Sequence, residues 1–246
     1  MILGVKKKIS YLLIKMFGEY LPTFDQVQEK VSSQRPKDTT EERTRLAVCK
    51  ILRGQDKRNV GCGVLVCDPG INDHISKYCI ITSREVIKIE NFLDDSINRV
   101  KFSKETKEVC FDLKGLSKSV QAVPSAGLIL IFIDANHRDF KQRCLPMTNF
   151  DQDQQLFCYL ANQCYNIVKS SGENGEYVLE AASIKSVTSV KSSIAPDEIP
   201  NGTVILQGAN KDVRAVGVFN VVDRNNLVVS PIWLKSSISC ISGELY

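Results

Sequence analysis

The sequence has little that would bind a metal or a nucleotide. His74 and His137 are the only imidazoles in 246 residues, and no C-x-x-C spacing occurs among the nine cysteines. Structural zinc sites use cysteine and histidine ligands at short spacing, so we expect no metal site. The G-x-x-x-x-G-K-[ST] pattern of a phosphate-binding loop is missing. Gly61-Cys62-Gly63 is not followed by the helix that a dinucleotide-binding site requires. We therefore expect no cofactor.

Strong net charge and long apolar runs are missing as well. The 32 basic and 28 acidic residues are mixed along the chain and give a net charge of +4. Nucleic-acid binders carry a basic stripe and stacking aromatics, so we expect no nucleic-acid partner. No run approaches the ~18 to 20 apolar residues of a membrane-spanning helix. The first residues also lack the shape of a signal peptide, so we expect a cytoplasmic protein whose cysteines are reduced thiols.

Two segments precede the main part of the chain. Residues 2–21 place apolar side chains on one side of a helix and lysines on the other. Such a helix packs on the fold or docks on a partner, or it lies on an anionic membrane surface with its lysines toward the headgroups. Residues 26–45 are polar and predict a linker, or a fraying helix end followed by linker. We therefore divide the chain into 1–43 and 44–246.

From residue 44 onward, short apolar runs alternate with turn-prone clusters. The predicted strands are Leu46–Leu52, Val60–Cys67, Tyr78–Thr82, Arg99–Phe102, Val109–Leu113, Leu128–Ile133, Leu156–Leu160, Tyr177–Leu179, Ser183–Val190, Thr203–Gln207, Ala215–Val222 and Leu227–Val229. About a dozen short strands without alternating helices indicate an all-β barrel or sandwich. Trp233–Ile238 is predicted to end the fold as a short helix.

Four of these places, in this order, resemble the trypsin-like (chymotrypsin-fold) peptidases. Val60–Val66 resembles the family's Gly-x-Gly-Phe-Leu-Val strand, whose glycines let the chain turn tightly into the first barrel. Tyr78–Ile87 is similar to the strand that ends in the histidine motif, Gly127–Ile131 to the strand that begins at the aspartate, and Val216–Phe219 to the strand after the serine loop. The resemblance covers about 44–240. It implies two six-stranded antiparallel β-barrels, at about 44–145 and 146–246.

The resemblance also locates the positions of a catalytic triad, which needs a nucleophile, an imidazole base and a carboxylate that orients it. The histidine position falls on Glu85 and the aspartate position on Gly127, which has no side chain. The serine loop corresponds to residues 199–206, where the nucleophile position holds Asn201, Gly202 or Thr203, depending on the register. Of these only Thr203 carries a hydroxyl. We therefore predict that no catalytic residue is retained.

Three hypotheses for function remain open at this point. The first is a non-catalytic protease homologue that binds a protein or peptide partner in the cleft between the barrels. The second is a working peptidase with unconventional residues, although His74 and His137 both lie in predicted loops. The third is a membrane-surface adaptor tethered by residues 2–21. The pattern predicts neither the partner nor the oligomeric state.

Overall fold

A computed structural model describes most of the chain beyond residue 39. The described residues are 40–54, 58–67, 78–88, 99–103, 108–133, 140, 143–160, 163–169, 176–181, 199–209 and 212–243. They belong to one compact unit, Asp38–Tyr246. The predicted amphipathic helix at 2–21 lies outside the described residues, as do His74, His137 and the predicted strand Ser183–Val190. The division at residue 43 stays a prediction.

The first half of this unit is an eight-stranded sheet. Its strands are β1 Val48–Arg53, β2 Arg58–Cys67, β3 Tyr78–Ser83, β4 Arg99–Ser103, β5 Glu108–Asp112, β6 Ser117–Val123, β7 Leu128–Ile133 and β8 Leu145–Pro146. Seven of them follow the order β5-β4-β1-β2-β3-β7-β6, and neighbouring strands are antiparallel. The short β8 adds in parallel to β2.

The second half is a closed barrel of six antiparallel strands. They are β9 Leu156–Leu160, β10 Gln163–Lys169, β11 Tyr177–Ala181, β12 Thr203–Gln207, β13 Arg214–Asp223 and β14 Val228–Trp233, in the order β10-β11-β14-β13-β12-β9. The helices are short: α1 Thr40–Ala47, α2 Leu113–Leu116, the 3₁₀ turn Pro124–Ala126 and α3 Leu234–Gly243. No helix among the described residues is long and apolar enough to cross a membrane.

β3 and β7 are buried on both faces, which explains their continuous apolar sequences. In β7, Leu128, Leu130 and Phe132 pack in a cluster that also contains side chains of β12, β13 and α3. The alternate residues, Ile129 and Ile131 among them, face a second cluster inside the first sheet. Side chains alternate between the faces of a strand, so one apolar run supplies two cores. The first of these cores joins the two halves of the unit.

The predicted fold class is confirmed: the unit is mostly β, its second half is a six-stranded antiparallel barrel, and α3 ends the fold. The first half has eight strands where six were predicted. The added strands are β6, whose sequence mixes polar and apolar residues, and β8, which has only two residues. In the second barrel the prediction missed β10. Part of the predicted linker 26–45 is helical, because Thr40–Arg45 belongs to α1.

The two glycines of the Val60–Val66 motif serve a different purpose from the predicted tight turn. Gly61 and Gly63 both lie inside β2, and neither has a positive φ. A Cβ at Gly61 would stand 2.6 Å from a methyl carbon of Val86 and 2.9 Å from the carbonyl oxygen of Asn201. Gly61 therefore allows a close approach between segments.

Candidate functional site

The turn that carries Glu85 lies beside Gly127 because of the register of two strands. β3 and β7 pair antiparallel, so that Ser83 at the end of β3 is opposite Leu128 at the start of β7. The turn after Ser83 therefore meets the residue before Leu128, and the Arg84 amide donates a hydrogen bond to the Gly127 carbonyl at 2.9 Å. The first two predicted positions are thus brought together.

The loop that holds the predicted nucleophile position belongs to the second barrel, and it lies against the same turn. The Cys62 amide in β2 donates a hydrogen bond to the Asn201 carbonyl at 2.9 Å, which ties the loop before β12 to the first sheet. A Cβ at Gly202 would lie 2.8 Å from the Thr82 hydroxyl oxygen and 3.2 Å from a methyl carbon of Val86. Val86 follows Glu85 directly, so the loop lies against the turn that carries the histidine position.

Glu85 and Gly127 do not supply the chemistry of a histidine and an aspartate. The Glu85 side chain is exposed, and its amide donates to the Ser83 hydroxyl at 3.1 Å, which fixes the turn. A carboxylate is a much weaker base than imidazole toward a hydroxyl group. Gly127 has a φ of 66° and caps the 3₁₀ turn by donating its N–H to the Pro124 carbonyl. Its role is to reverse the chain in a conformation that favours glycine.

The Thr203 hydroxyl is turned into the protein. The residue is 0% exposed, and its hydroxyl donates to the Pro200 carbonyl at 2.7 Å. Thr203 begins β12, in which all five residues are buried. A substrate carbonyl therefore cannot reach this oxygen without a rearrangement of the strand.

The Gly202 amide, just before Thr203, is used to hold the loop in place. The Gly202 N–H donates to the Phe219 carbonyl at 2.9 Å, and Pro200 has no N–H to offer. The Asn201 side-chain oxygen accepts from the Val221 amide at 2.9 Å. An oxyanion hole needs N–H donors that point at the reacting oxygen. This loop uses the Gly202 donor to attach itself to β13 instead.

The cysteines near this site are held as thiols. Burial raises the pKa of Cys62 to about 12, although the charge of Lys50 and a hydrogen bond with Thr203 act in the opposite direction. Burial also raises the pKa of Cys49 and of Cys79 far above the ordinary value. A thiolate is the reactive form of cysteine, so burial works against reactivity at these three positions. The described residues contain no group of His, Cys, Asp and Glu side chains that could hold a metal ion.

A groove of about 510 Å³ lies between the two halves of the unit, next to the loop that contains Pro200. One side is formed by side chains of β1, β2, β4 and β5, including Lys50, Cys62, Lys101 and Glu108, and the other includes Tyr159, Leu160 and Pro200. Its volume lies in the range of pockets that hold small ligands or short chain segments. Apart from Pro200, none of these residues was predicted as part of a site, since they come together only through strand pairings that no single motif specifies.

No protein-family model and no curated protein sequence matches the chain. Several solved structures are similar to it in three dimensions. Kallikrein-related peptidase 10 is 10% identical, with a TM-score of 0.48, over 82% of this chain and 96% of that one. Catalytically active tobacco etch virus protease in complex with product is 10% identical, with a TM-score of 0.46, over 92% and 88%. The thermostable serine protease AL20 from an extremophilic microorganism is 7% identical, with a TM-score of 0.46, over 80% and 95%.

Proposed function

We propose that this chain is a non-catalytic protease homologue that binds an extended segment of polypeptide in the groove between its two halves. The observation that carries the proposal is the inward position of the Thr203 hydroxyl, which is fully buried and bonded to the Pro200 carbonyl. This is the only hydroxyl among the three residues that the resemblance offers as nucleophile.

The surroundings of Thr203 support the same conclusion. A serine-type nucleophile needs a base that takes its proton, and the nearby turn offers only the exposed carboxylate of Glu85. The Gly202 N–H is bonded to Phe219 and so does not serve a reacting oxygen. In a serine peptidase, losing the members of a triad lowers kcat by about 10⁶-fold. We therefore infer that peptide-bond hydrolysis is lost and that binding is the activity that remains.

The groove supports the binding half of the proposal. It adjoins the Asn201–Thr203 loop, and both halves of the unit contribute side chains to it. Cys62 lines the groove and its amide also bonds to the loop, so the groove and the loop are directly connected. An extended peptide in such a groove is recognised through its backbone and its alternate side chains.

The test is exposure of the full-length protein to a complex peptide library, with new termini read by mass spectrometry. We expect no cleavage above a buffer control. In a parallel sample, hydrogen exchange should slow in β1 and β9 when the library is added, because bound peptide shields the groove. The Thr203→Ala and Cys62→Ala variants are the matched controls for two side chains beside the loop that have a nucleophilic atom.

Three outcomes would contradict the proposal. Reproducible cleavage that disappears in one of the two variants would identify a working nucleophile and establish a peptidase with unconventional residues. Cleavage that persists in both variants would place the chemistry elsewhere in the chain and would equally remove the non-catalytic assignment. Unchanged exchange in β1 and β9 at saturating peptide would show that the groove does not bind polypeptide.

A further inference from the structure

Two lysines face each other across neighbouring strands beside the groove. In the register of β1 and β4, Lys50 is the direct partner of Lys101. Cys49 and Ile51 flank Lys50 and are buried, and Val100 and Phe102 flank Lys101 in the same way. Because side chains alternate across a strand, both lysines lie on the outer face of the sheet. Like charges at directly opposed positions destabilise a strand pair.

Among the described residues that line the groove, one carboxylate offsets part of this charge. Glu108 at the start of β5 forms an ion pair with Lys101, and this hydrogen bond is the main reason that the pKa of Glu108 is lowered. The positive charge of Lys50 acts on Glu108 in the same direction. Arg45 also lines the groove and pairs with Glu42 at 2.7 Å. The strands of the first sheet therefore contribute two lysines and one carboxylate to the groove, while the charge of Arg45 on α1 is paired with Glu42.

The opposite wall has a different chemistry. Tyr159 and Leu160 at the end of β9 are 9% and 7% exposed, and with Pro200 they contribute aromatic and aliphatic side chains that carry no formal charge. An extended peptide projects successive side chains to opposite sides. One side of such a peptide would face the lysines while the other faces this apolar wall.

We propose that the groove selects an extended peptide in which acidic and apolar side chains alternate, with the carboxylates directed at Lys50 and Lys101. This inference rests on the proposed function, since it names the class of peptide that the same groove binds. The bound carboxylates relieve the repulsion between the opposed lysines. The ligand thereby supplies the negative charge that the strand pair lacks.

Fluorescence anisotropy with the full-length protein tests this selection directly. The probes are three labelled hexapeptides that alternate valine with glutamate, with glutamine or with lysine. We expect the glutamate peptide to bind about three- to tenfold more tightly than the glutamine peptide, and the lysine peptide to bind most weakly. The advantage of glutamate should shrink as the salt concentration rises, because exposed charges are screened.

Replacing the lysines and replacing Glu108 by glutamine should change the affinity for the glutamate peptide in opposite directions. Lys50→Gln and Lys101→Gln should each weaken binding of the glutamate peptide by about threefold. Glu108→Gln should strengthen it, since Lys101 then loses its internal partner. Lys169→Gln is the matched control, because Lys169 is an exposed lysine on β10 outside the residues that line the groove.

The thermal midpoint of Lys50→Gln separates a binding role from a structural one. Removing one of two opposed positive charges should raise the midpoint by about 1–3 °C while the affinity falls. A lower midpoint together with a lower affinity would mean that Lys50 stabilises the fold, and it would overturn the assignment. Equal affinities for the glutamate and glutamine peptides, or no effect of Lys50→Gln, would also overturn it.

Acidic selection and peptide binding by the groove are refuted by different results. Binding of the glutamate and glutamine peptides with equal affinity, accompanied by slower exchange in β1 and β9, would refute acidic selection and leave the proposed function standing. No binding of any of the three peptides, with no slower exchange when the library is added, would refute both.

Discussion

Replacing Gly202 by alanine tests how closely the second barrel is fitted to the first sheet. Gly202 has a φ of 75°, a conformation in which a Cβ costs about 1–2 kcal/mol. The added carbon would also meet the Cys62 carbonyl oxygen and lie 2.8 Å from the Thr82 hydroxyl oxygen. Thr82 is itself buried and donates to the Cys62 carbonyl at 2.6 Å, so neither group has room to move aside. Overpacking of this kind adds about 1–3 kcal/mol.

The two effects together should lower the free energy of unfolding by about 3 kcal/mol, a large part of the total for a typical domain. For a chain of this size the thermal midpoint should fall by roughly 6–12 °C. Urea unfolding should give the same loss with an unchanged denaturant slope, provided that the folded state remains equally compact.

Alanine substitutions at two other glycines serve as controls. Gly127 also has a positive φ, 66°, but its nearest new contact would be an ordinary 3.5 Å to a side-chain carbon of Arg84. Gly127→Ala should therefore lower stability by about 1 kcal/mol, from backbone strain alone. Gly115 in α2 has nothing within 4 Å of a new Cβ, so Gly115→Ala should be neutral or stabilising by up to ~1 kcal/mol. A Gly202→Ala midpoint equal to that of Gly115→Ala would refute the close fit.

Two further predictions concern thiols. Burial raises the pKa of Cys62 from 9.0 to about 12, so its contribution to stability is complete below about pH 9 and is lost as the pH rises toward 12. Between about pH 10 and pH 11, the free energy of unfolding should therefore fall by about 1 kcal/mol less in Cys62→Ala than in the unmodified protein, and equal slopes would contradict this. Iodoacetamide should label the exposed Cys110 in the native protein, and it should label Cys158, which is 0% exposed, only in urea. Labelling rates are measured by mass spectrometry, and equal rates for the two cysteines in the native protein would show that the barrel opens.

The strands that sequence predicts best are those whose apolar runs fill two cores. β3 and β7 were predicted closely because every residue in them is buried. β6 and β10 were missed because their polar residues interrupt the apolar pattern, although each pairs with a strand that is next to it in sequence. β8 has two residues and forms only because β2 offers it an edge. Such strands depend on tertiary contacts more than on local sequence.

The candidate site was likewise predictable only in part. The resemblance led to Glu85, Gly127 and the loop at 199–206, and the structure brings these segments together. The burial of Thr203 was not predictable, because a threonine at the start of a strand points inward or outward according to the twist and the partners of that strand. The opposition of Lys50 and Lys101 was not predictable either, since it depends on the register of β1 and β4, which lie far apart in sequence.

The position of β5 at the end of the first sheet affects how copies of this protein meet one another. An end strand has backbone groups that can pair with another chain, so exposed edges promote aggregation. β5 begins with Glu108 and ends with Asp112, and both side chains are exposed. If two copies paired antiparallel about Cys110, each Glu108 would lie opposite an Asp112 of the other copy. Like charges in that position repel, so this antiparallel pairing of β5 with itself is disfavoured relative to pairing with a strand that carries basic residues.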